Sequence, residues 1–515
     1  MMASRTRHSA PRLGDLLAPS IVLDDIANRD VSAVCMDSRE VQPGAVFFAR
    51  RGLVHDGSEF AEEAVRAGAV AIVHQGSPGV GVSDAGVAEV FVPDLVSCAG
   101  EAAHRFYGRP SEAMRIIGVT GTNGKTSVSH FVAHGLDHCS PSESAPVGLI
   151  GTLGYGLIRR LDPGVLTTPD VIHLHRLLAE LRARGADHTV MEVSSHALSQ
   201  RRVEGVRFDT AVFTNLSRDH LDFHGDMEAY GAAKARLFMT RELRAAVVNM
   251  DDALGVEILK AVPAGVRLIA YTMAADHEPP PRTPASLLRG RVESVDAEGL
   301  RLAIQSEQGE GELSAPLLGR FNAHNLLAAL GVLLEEGIAF ERALDSLRSL
   351  PPVPGRMQRF GRGPGQPLVV VDYAHTPGAL DAALRALREH CPGRLWCVFG
   401  CGGDRDEGKR AQMGAVAESL ADVIVLTDDN PRHEDGDVIL RGIRQGLSLA
   451  NEESGRLLIQ RDRAAAIRRA VLSAGPDDFV LVAGKGHETY QEVLGARRPF
   501  SDAAAVRAAL EARPS

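Results

Sequence analysis

Short apolar runs alternate with stretches of helical periodicity along most of the chain. Early on, Val46-Phe47-Phe48-Ala49 and Val70-Ala71-Ile72-Val73 read as strands, with helical spacing over Glu59 to Ala67 between them. A second series starts at Met114. Ile116-Ile117-Gly118-Val119 is a short apolar strand, then comes a glycine loop, then a helix with apolar Val128, Phe131, Val132 and Leu136. Further strands are predicted at Thr189–Val193, Ala211–Thr214, Ala245–Val248 and Leu268–Tyr271, and a buried helix at Asn325 to Leu334. Four prolines make Asp276 to Pro284 a surface loop. Five more apolar strands follow at Leu368–Val371, Leu395–Phe399, Val423–Leu426, Leu457–Ile459 and Phe479–Val482, separated by helical segments. Such alternation implies α/β architecture with parallel strands and right-handed crossovers.

Neither a helix nor an interior strand tolerates Pro351-Pro352-Val353-Pro354-Gly355, which reads as a linker. Tyr107-Gly108-Arg109-Pro110 marks another boundary. At roughly 100–200 residues per domain, three domains are expected: 1–110, 111–352 and 353–515. The net charge of −10 argues against nucleic acid as the main partner. Six cysteines without a Cys-x-x-Cys pair read as free thiols in a reducing cytosol. The polar, basic Met1 to Arg12 segment does not resemble a secretory signal, and no apolar run approaches a membrane span. A cytoplasmic monomer is expected.

The loop Gly121-Thr122-Asn123-Gly124-Lys125-Thr126-Ser127 lies between a strand and a helix, as a phosphate cradle requires. Its glycines let backbone N–H groups turn towards anionic oxygens, and the helix N-terminus adds partial positive charge. Lys125 can reach the β- and γ-phosphates of ATP, and Thr126 can place its hydroxyl on magnesium. The spacing is shortened: Gly121 stands only two residues before Gly124-Lys125.

Glu192 ends a strand of the same domain. It reads either as a magnesium ligand at the crevice or as a surface carboxylate. Asn215 to Asp226 is dense in Asp and His, fitting a metal site or a hydrophilic loop. Lys234, by composition and spacing, reads as a solvated helix lysine. In the last domain, the segments Asp372–Pro377, Gly400–Asp406, Thr427–Arg432 and Gly484–Glu488 trail four parallel strands. They suggest one crevice of mixed charge. Arg405 and Arg432 could fork onto carboxylates and Glu488 could hold an ammonium, as an amino acid would need; alternatively the charges pair with one another.

Jointly, several motifs resemble the Mur ligase family of ATP-dependent peptidoglycan precursor ligases. They are the shortened loop, Glu192-Val193-Ser194-Ser195-His196, Asn215 to Asp226, Ala232-Ala233-Lys234, Gly319-Arg320-Phe321-Asn322, Pro354-Gly355-Arg356-Met357 and the four C-terminal loops. The resemblance implies a UDP-binding N-terminal domain, a P-loop ATPase-like centre and a Rossmann-like C-terminal domain. Asp37-Ser38-Arg39 and Thr167-Thr168-Pro169-Asp170 are similar to members that extend UDP-N-acetylmuramoyl-L-alanyl-D-glutamate. Asp429-Asn430-Pro431-Arg432 is similar to the motif of those adding meso-diaminopimelate.

The same resemblance implies site roles. Ser38, Thr167, Thr168, Ser194, Gln200 and Arg202 would hold the UDP-sugar peptide, with Leu53, Val54 and His55 nearby, although that tripeptide departs from the polar segment usual there. Asn325, Arg356, Asp372 and His375 would surround the nucleotide. Thr126, Glu192, His220 and a carbamylated Lys234 would ligate magnesium, and Lys125, Glu192, His220 and Lys234 would be catalytic. Arg405, Asp429, Asn430, Pro431, Arg432, Gly484 and Glu488 would bind diaminopimelate. Closure of the C-terminal domain would keep water from an acyl phosphate. The rival readings are a lysine-adding relative, a folylpolyglutamate synthetase and a nucleotide-gated binding protein without ligase chemistry.

Overall fold

The computed structural model describes residues 10–52, 55–140, 145–280, 285–448 and 455–513. The chain forms two compact units: residues 1–270 with 278–286, and residues 271–277 with 287–515.

The first unit holds two sheets. The N-terminal one runs Ala33–Cys35, Ala45–Phe48, Ala71–Gln75, Ala88–Val92, Gly79–Val82, parallel except for the last strand. Helix Leu95–Phe106 covers one face, burying Cys98, Ala99, Ala102 and Ala103 against Val46, Phe48, Val73 and Val90. The predicted helix at Glu59 to Ala67 is a 3₁₀ turn, Gly57–Phe60, running into Ala61–Arg66.

The larger sheet of this unit places Ala245–Asn249, Thr210–Phe213, Arg115–Thr120, His188–Glu192 and Val147–Gly151 side by side, all parallel. Gly154–Leu157 and Arg160–Asp162 add an antiparallel edge. Strand Arg115–Thr120 is central and buried beyond its first residue, which explains its unbroken apolar run. Register pairs Glu192 with Val119 and Phe213 with Thr120, so three adjacent strands deliver their carboxyl ends together.

The second unit carries an antiparallel segment absent from the strands expected above, in which Gly299–Ser306 pairs with both Ala285–Asp296 and Gly309–Ala315. Helix Phe321–Glu335 is buried over most of its length, as expected. The final sheet orders Gln358–Gly361, Leu368–Asp372, Phe479–Ala483, Leu395–Phe399, Val423–Leu426, Leu457–Ile459. Its five predicted strands are parallel, and Gln358–Gly361 is an antiparallel edge. Helices Pro377–His390, Gly408–Leu420 and Gly436–Arg444 cover one face, and Arg463–Ser473 and Asp502–Glu511 the other. No helix among the described residues is long and apolar enough to cross a membrane.

Candidate active site

Gly124 adopts φ +85° and starts helix Lys125–Cys139, so the glycine supplies the left-handed turn that aims the helix N-terminus at the loop. Gly121 is required for another reason. A Cβ there would stand 1.8 Å from Thr214 Oγ1. Thr214 follows the neighbouring strand and donates to the Asn123 carbonyl over 2.6 Å. Asn215 accepts from Asn123 N through its side chain (3.0 Å) and from Thr122 N through its carbonyl (2.8 Å). The Gly121–Thr126 loop is thus clamped by Thr214 and Asn215, a scaffolding contact that composition does not show.

Glu192 is buried, not a surface carboxylate. Its Oε2 accepts from Thr126 Oγ1 at 3.0 Å and from Thr152 Oγ1 at 3.1 Å, and its Oε1 from Thr152 N at 2.8 Å. Magnesium favours oxygen donors, and the Thr126 hydroxyl and Glu192 carboxylate fit it. Among the described residues, no group of three His, Cys, Asp or Glu gathers around a metal position.

Lys234 is only 1% exposed, which overturns its reading as a solvated lysine. Its Nζ donates to the Gly121 carbonyl at 2.8 Å and lies 4.2 Å from the centre of the Tyr230 ring. Lys125 Nζ donates to the same carbonyl, and to that of Thr122, each at 2.8 Å. Burial, then the nearby Lys125 ammonium, lowers the Lys234 pKa to about 6. Its amine is therefore mainly neutral at pH 7. Tyr230 also faces His220, ring centres 6.2 Å apart, and its hydroxyl meets Thr122 Oγ1 at 3.1 Å. His220 packs edge-on to His196 at 4.8 Å.

The residues expected to hold the UDP-sugar peptide divide into two groups. Thr167 meets Thr152 hydroxyl to hydroxyl at 3.1 Å, and Thr168 Oγ1 donates to the Glu192 carbonyl at 2.8 Å. Ser194 N donates to Thr168 Oγ1 (3.1 Å), Arg202 to the Thr168 carbonyl (3.1 Å) and to Gln200 Oε1 (2.6 and 2.9 Å). These five therefore form one network around Glu192. Ser38, with Oγ 3.4 Å from Glu63 Oε2, and exposed His55, edge-on to Phe60, touch none of it among the described residues. Leu53 and Val54 lie outside the described residues, as does part of the Pro279–Pro284 loop.

In the second unit, Asp372 accepts from Met357 N (2.7 Å) and Ala374 N (2.9 Å), while burial raises its pKa. Arg356 stacks on Tyr373, whose ring also contacts His375 and His487. Asn325 donates to Asn322 Oδ1 at 2.9 Å inside its helix.

The loops expected to hold an amino acid converge. Arg432, at φ +54°, donates to the Gly403 carbonyl at 2.6 Å. Asn430 Nδ2 and Lys485 Nζ both donate to Glu488 Oε2 at 2.8 Å. Burial alone would raise the Glu488 pKa; Lys485 and Asn430 outweigh it and hold the carboxyl below its ordinary value. Buried Asp429 has its pKa raised by desolvation and leaves Oδ2 unpaired, 2.4 Å from where a Cβ on Gly484 would stand. Arg405 is exposed. Behind this crevice, Arg463 and Asp502 form a fully buried bidentate pair at 2.7 and 2.8 Å.

Three family descriptions match successive stretches of the chain: Mur ligase family, catalytic domain, at 30–107; Mur ligase middle domain at 119–333; and Mur ligase, glutamate ligase domain, at 355–486. The chain belongs to the Mur ligase family. A relative from Alkalilimnicola ehrlichii is 49% identical over 97% of this chain and 98% of its own. One from Coxiella burnetii is 47% identical over 93% and 96%. Both are named UDP-N-acetylmuramoyl-L-alanyl-D-glutamate--2,6-diaminopimelate ligase. A solved structure of a ligase of that name is 36% identical, with a TM-score of 0.70 over 94% of this chain and 95% of its own. A Mycobacterium tuberculosis folylpolyglutamate synthase, 20% identical with a TM-score of 0.57 over 81% and 95%, shares the fold alone.

This Mur ligase is an ATP-dependent ligase, and several members of its site were not singled out from sequence. Thr152 and Tyr230 sit in no recognisable motif. Lys485 lies inside a quoted loop, yet only its complete burial against Glu488 gives it weight. Thr214 had one available signal, its place at the end of a predicted strand beside the loop.

Proposed function

We propose that this Mur ligase adds meso-diaminopimelate to UDP-N-acetylmuramoyl-L-alanyl-D-glutamate, with ATP as co-substrate, in peptidoglycan precursor synthesis. The single observation that carries the reaction chemistry is the convergence on Glu192 of the phosphate loop, through Thr126, and of the acceptor threonines, through Thr152 and Thr168. The near full-length likeness to diaminopimelate ligases supports the choice of amine.

An oxygen of the D-glutamyl side-chain carboxylate attacks the γ-phosphorus of ATP. The bond to the β,γ-bridging oxygen breaks, and ADP leaves with its electron pair. The neutral amine of diaminopimelate then attacks the acyl carbon, the acyl–oxygen bond breaks, phosphate leaves, and the nitrogen gives up one proton. Activation is needed because a carboxylate is a poor electrophile. Lys125 and the loop N–H groups stabilise charge on the transferring phosphoryl group. Thr126 and Glu192, with His220 and a carbamylated Lys234, would hold magnesium, which neutralises phosphate charge when bound. The neutral state of Lys234 is the one that adds carbon dioxide. Arg432, with Arg405 nearby in sequence to Gly403, serves the distal carboxylate of diaminopimelate.

Phosphate release measured with the UDP-dipeptide tests the reading. Release should require both ATP and diaminopimelate, with lysine a poor substitute. Equal use of lysine would favour the lysine-adding activity, and release with a folate acceptor instead would overturn the proposal.

A further inference from the structure

Arg50 leaves the end of strand Ala45–Phe48, and two contacts fix its backbone: Arg50 N donates to the Phe48 carbonyl, and Gly57 N to the Arg50 carbonyl, both at 2.9 Å. The side chain crosses to the larger sheet's loops, where Nη2 donates to the Gln200 carbonyl at 3.2 Å. Arg202 binds the same glutamine from its side-chain oxygen. Two half-buried guanidiniums thus bind one residue, one through its carbonyl and one through its side chain.

Like charges held this way normally share a carboxylate. Here they do not. Among the described residues, neither arginine has a carboxylate within the 4.0 Å of an ion pair. Asp170 attracts both from farther away but spends Oδ1 on the Ile172 and His173 amides that start its helix. The adjacent Arg201 is different: Asp94 and Glu204 neutralise it at 2.8 and 2.7 Å. Burial lowers the pKa of Arg50 and of Arg202, and for Arg202 the charge of Arg50 adds to it. Partly burying two cations without a carboxylate partner costs free energy that an anionic ligand would recover.

We propose that Arg50 is an acceptor-positioning residue: with Arg202 it forms a two-guanidinium clamp across Gln200 that takes an oxyanion of the UDP-linked acceptor. The inference rests on the acceptor proposed above and adds a residue to its site. Guanidinium forks match both oxyanions available on that molecule, the diphosphate and the α-carboxylate of the D-glutamyl residue. Arg202 joins Thr168, which bonds to Glu192, so the clamp is tied through hydrogen bonds to the phosphate-loop end of the site.

Steady-state kinetics of Arg50→Ala, Arg50→Gln and Arg50→Lys test it. Both neutral variants should raise KM for the UDP-dipeptide about ten- to a hundredfold, the range for a charged hydrogen bond. KM for ATP and the thermal unfolding midpoint should be unchanged, and Arg50→Lys should recover part of the loss. An acceptor amidated at the D-glutamyl α-carboxylate separates the sources. If the effect of Arg50→Ala disappears with it, the carboxylate is the partner; if the effect persists, the diphosphate is. An unchanged acceptor KM, or an equal rise in the KM for ATP, would overturn the clamp. Failure of the wild-type enzyme to use the UDP-dipeptide would instead overturn the proposed function.

Discussion

Lys125 and Lys234 place their amines on one acceptor, the Gly121 carbonyl, each at 2.8 Å. Burial and the repulsion between two neighbouring cations disfavour charge on both amines, and they lower the pKa of Lys234 to about 6.

Carbamylation of Lys234 predicts a clear pattern. Lys234→Ala and Lys234→Arg should both lose at least about a hundredfold in kcat, the scale seen when one group that stabilises transferring charge is removed. Arginine is permanently charged and cannot become a carbamate. Labelled bicarbonate should give the wild-type protein a carbamate carbon signal by NMR that is missing from both variants. Full activity in bicarbonate-free buffer without that signal would exclude the modification.

Gly121→Ala should destabilise the phosphate loop, because the new Cβ meets Thr214 Oγ1 at 1.8 Å. Overpacking of this kind costs about 1–3 kcal/mol. ATP affinity should fall with it. Adding Thr214→Ala removes the contact with Oγ1, so part of the lost stability should return in denaturant unfolding, while the φ of +152° at residue 121 keeps the rest lost. A double variant no more stable than Gly121→Ala would place the strain elsewhere.

Arg432→Ala should act on the amine and spare the nucleotide. Truncating one partner of a hydrogen-bonded charge pair costs about 2–5 kcal/mol, a factor of roughly 30 to several thousand in kcat/KM for diaminopimelate. KM for ATP should not move. Unaltered kinetics with diaminopimelate would remove Arg432 from the specificity site.

His104 and His175 predict how stability depends on pH. Both are buried, with ring centres 5.3 Å apart. Desolvation lowers their pKa values to about 4 and about 3. The unfolded chain therefore binds protons below about pH 6.5 that the folded chain refuses. Stability should be full above that pH and fall as the pH drops towards 4, by about 3 kcal/mol for one such histidine. Urea midpoints measured across this range check the slope; His104→Gln should flatten it.

The parallel strands were legible because their apolar runs are local, and Arg115–Thr120 matches its predicted core almost residue for residue. The antiparallel segment over Gly299–Ala315 was missed. Leu300, Leu302 and Ile304 alternate with Arg301, Ala303 and Gln305, a period-two signal that was available, whereas Gly309, Gly311 and the charged residues around them blur the partner strand. Asn215 to Asp226 shows what composition leaves out: it suggested metal-capable side chains, but not that Asn215, with Thr214 just before it, also grips the Gly121–Thr126 loop.

By itself, the sequence determined the strand–helix alternation, the glycine loop between strand and helix and, by resemblance, the family. These depend on neighbours in the chain or on short motifs. Tertiary structure alone decided that Lys234 is buried with its pKa lowered, that Thr152 joins Glu192, that Lys485 holds Glu488 and that Arg50 meets Arg202 at Gln200. Each outcome turns on burial and on strand register bringing distant side chains within a few ångströms. The desolvation and charge effects that set their chemistry act through space, and residue order does not record them.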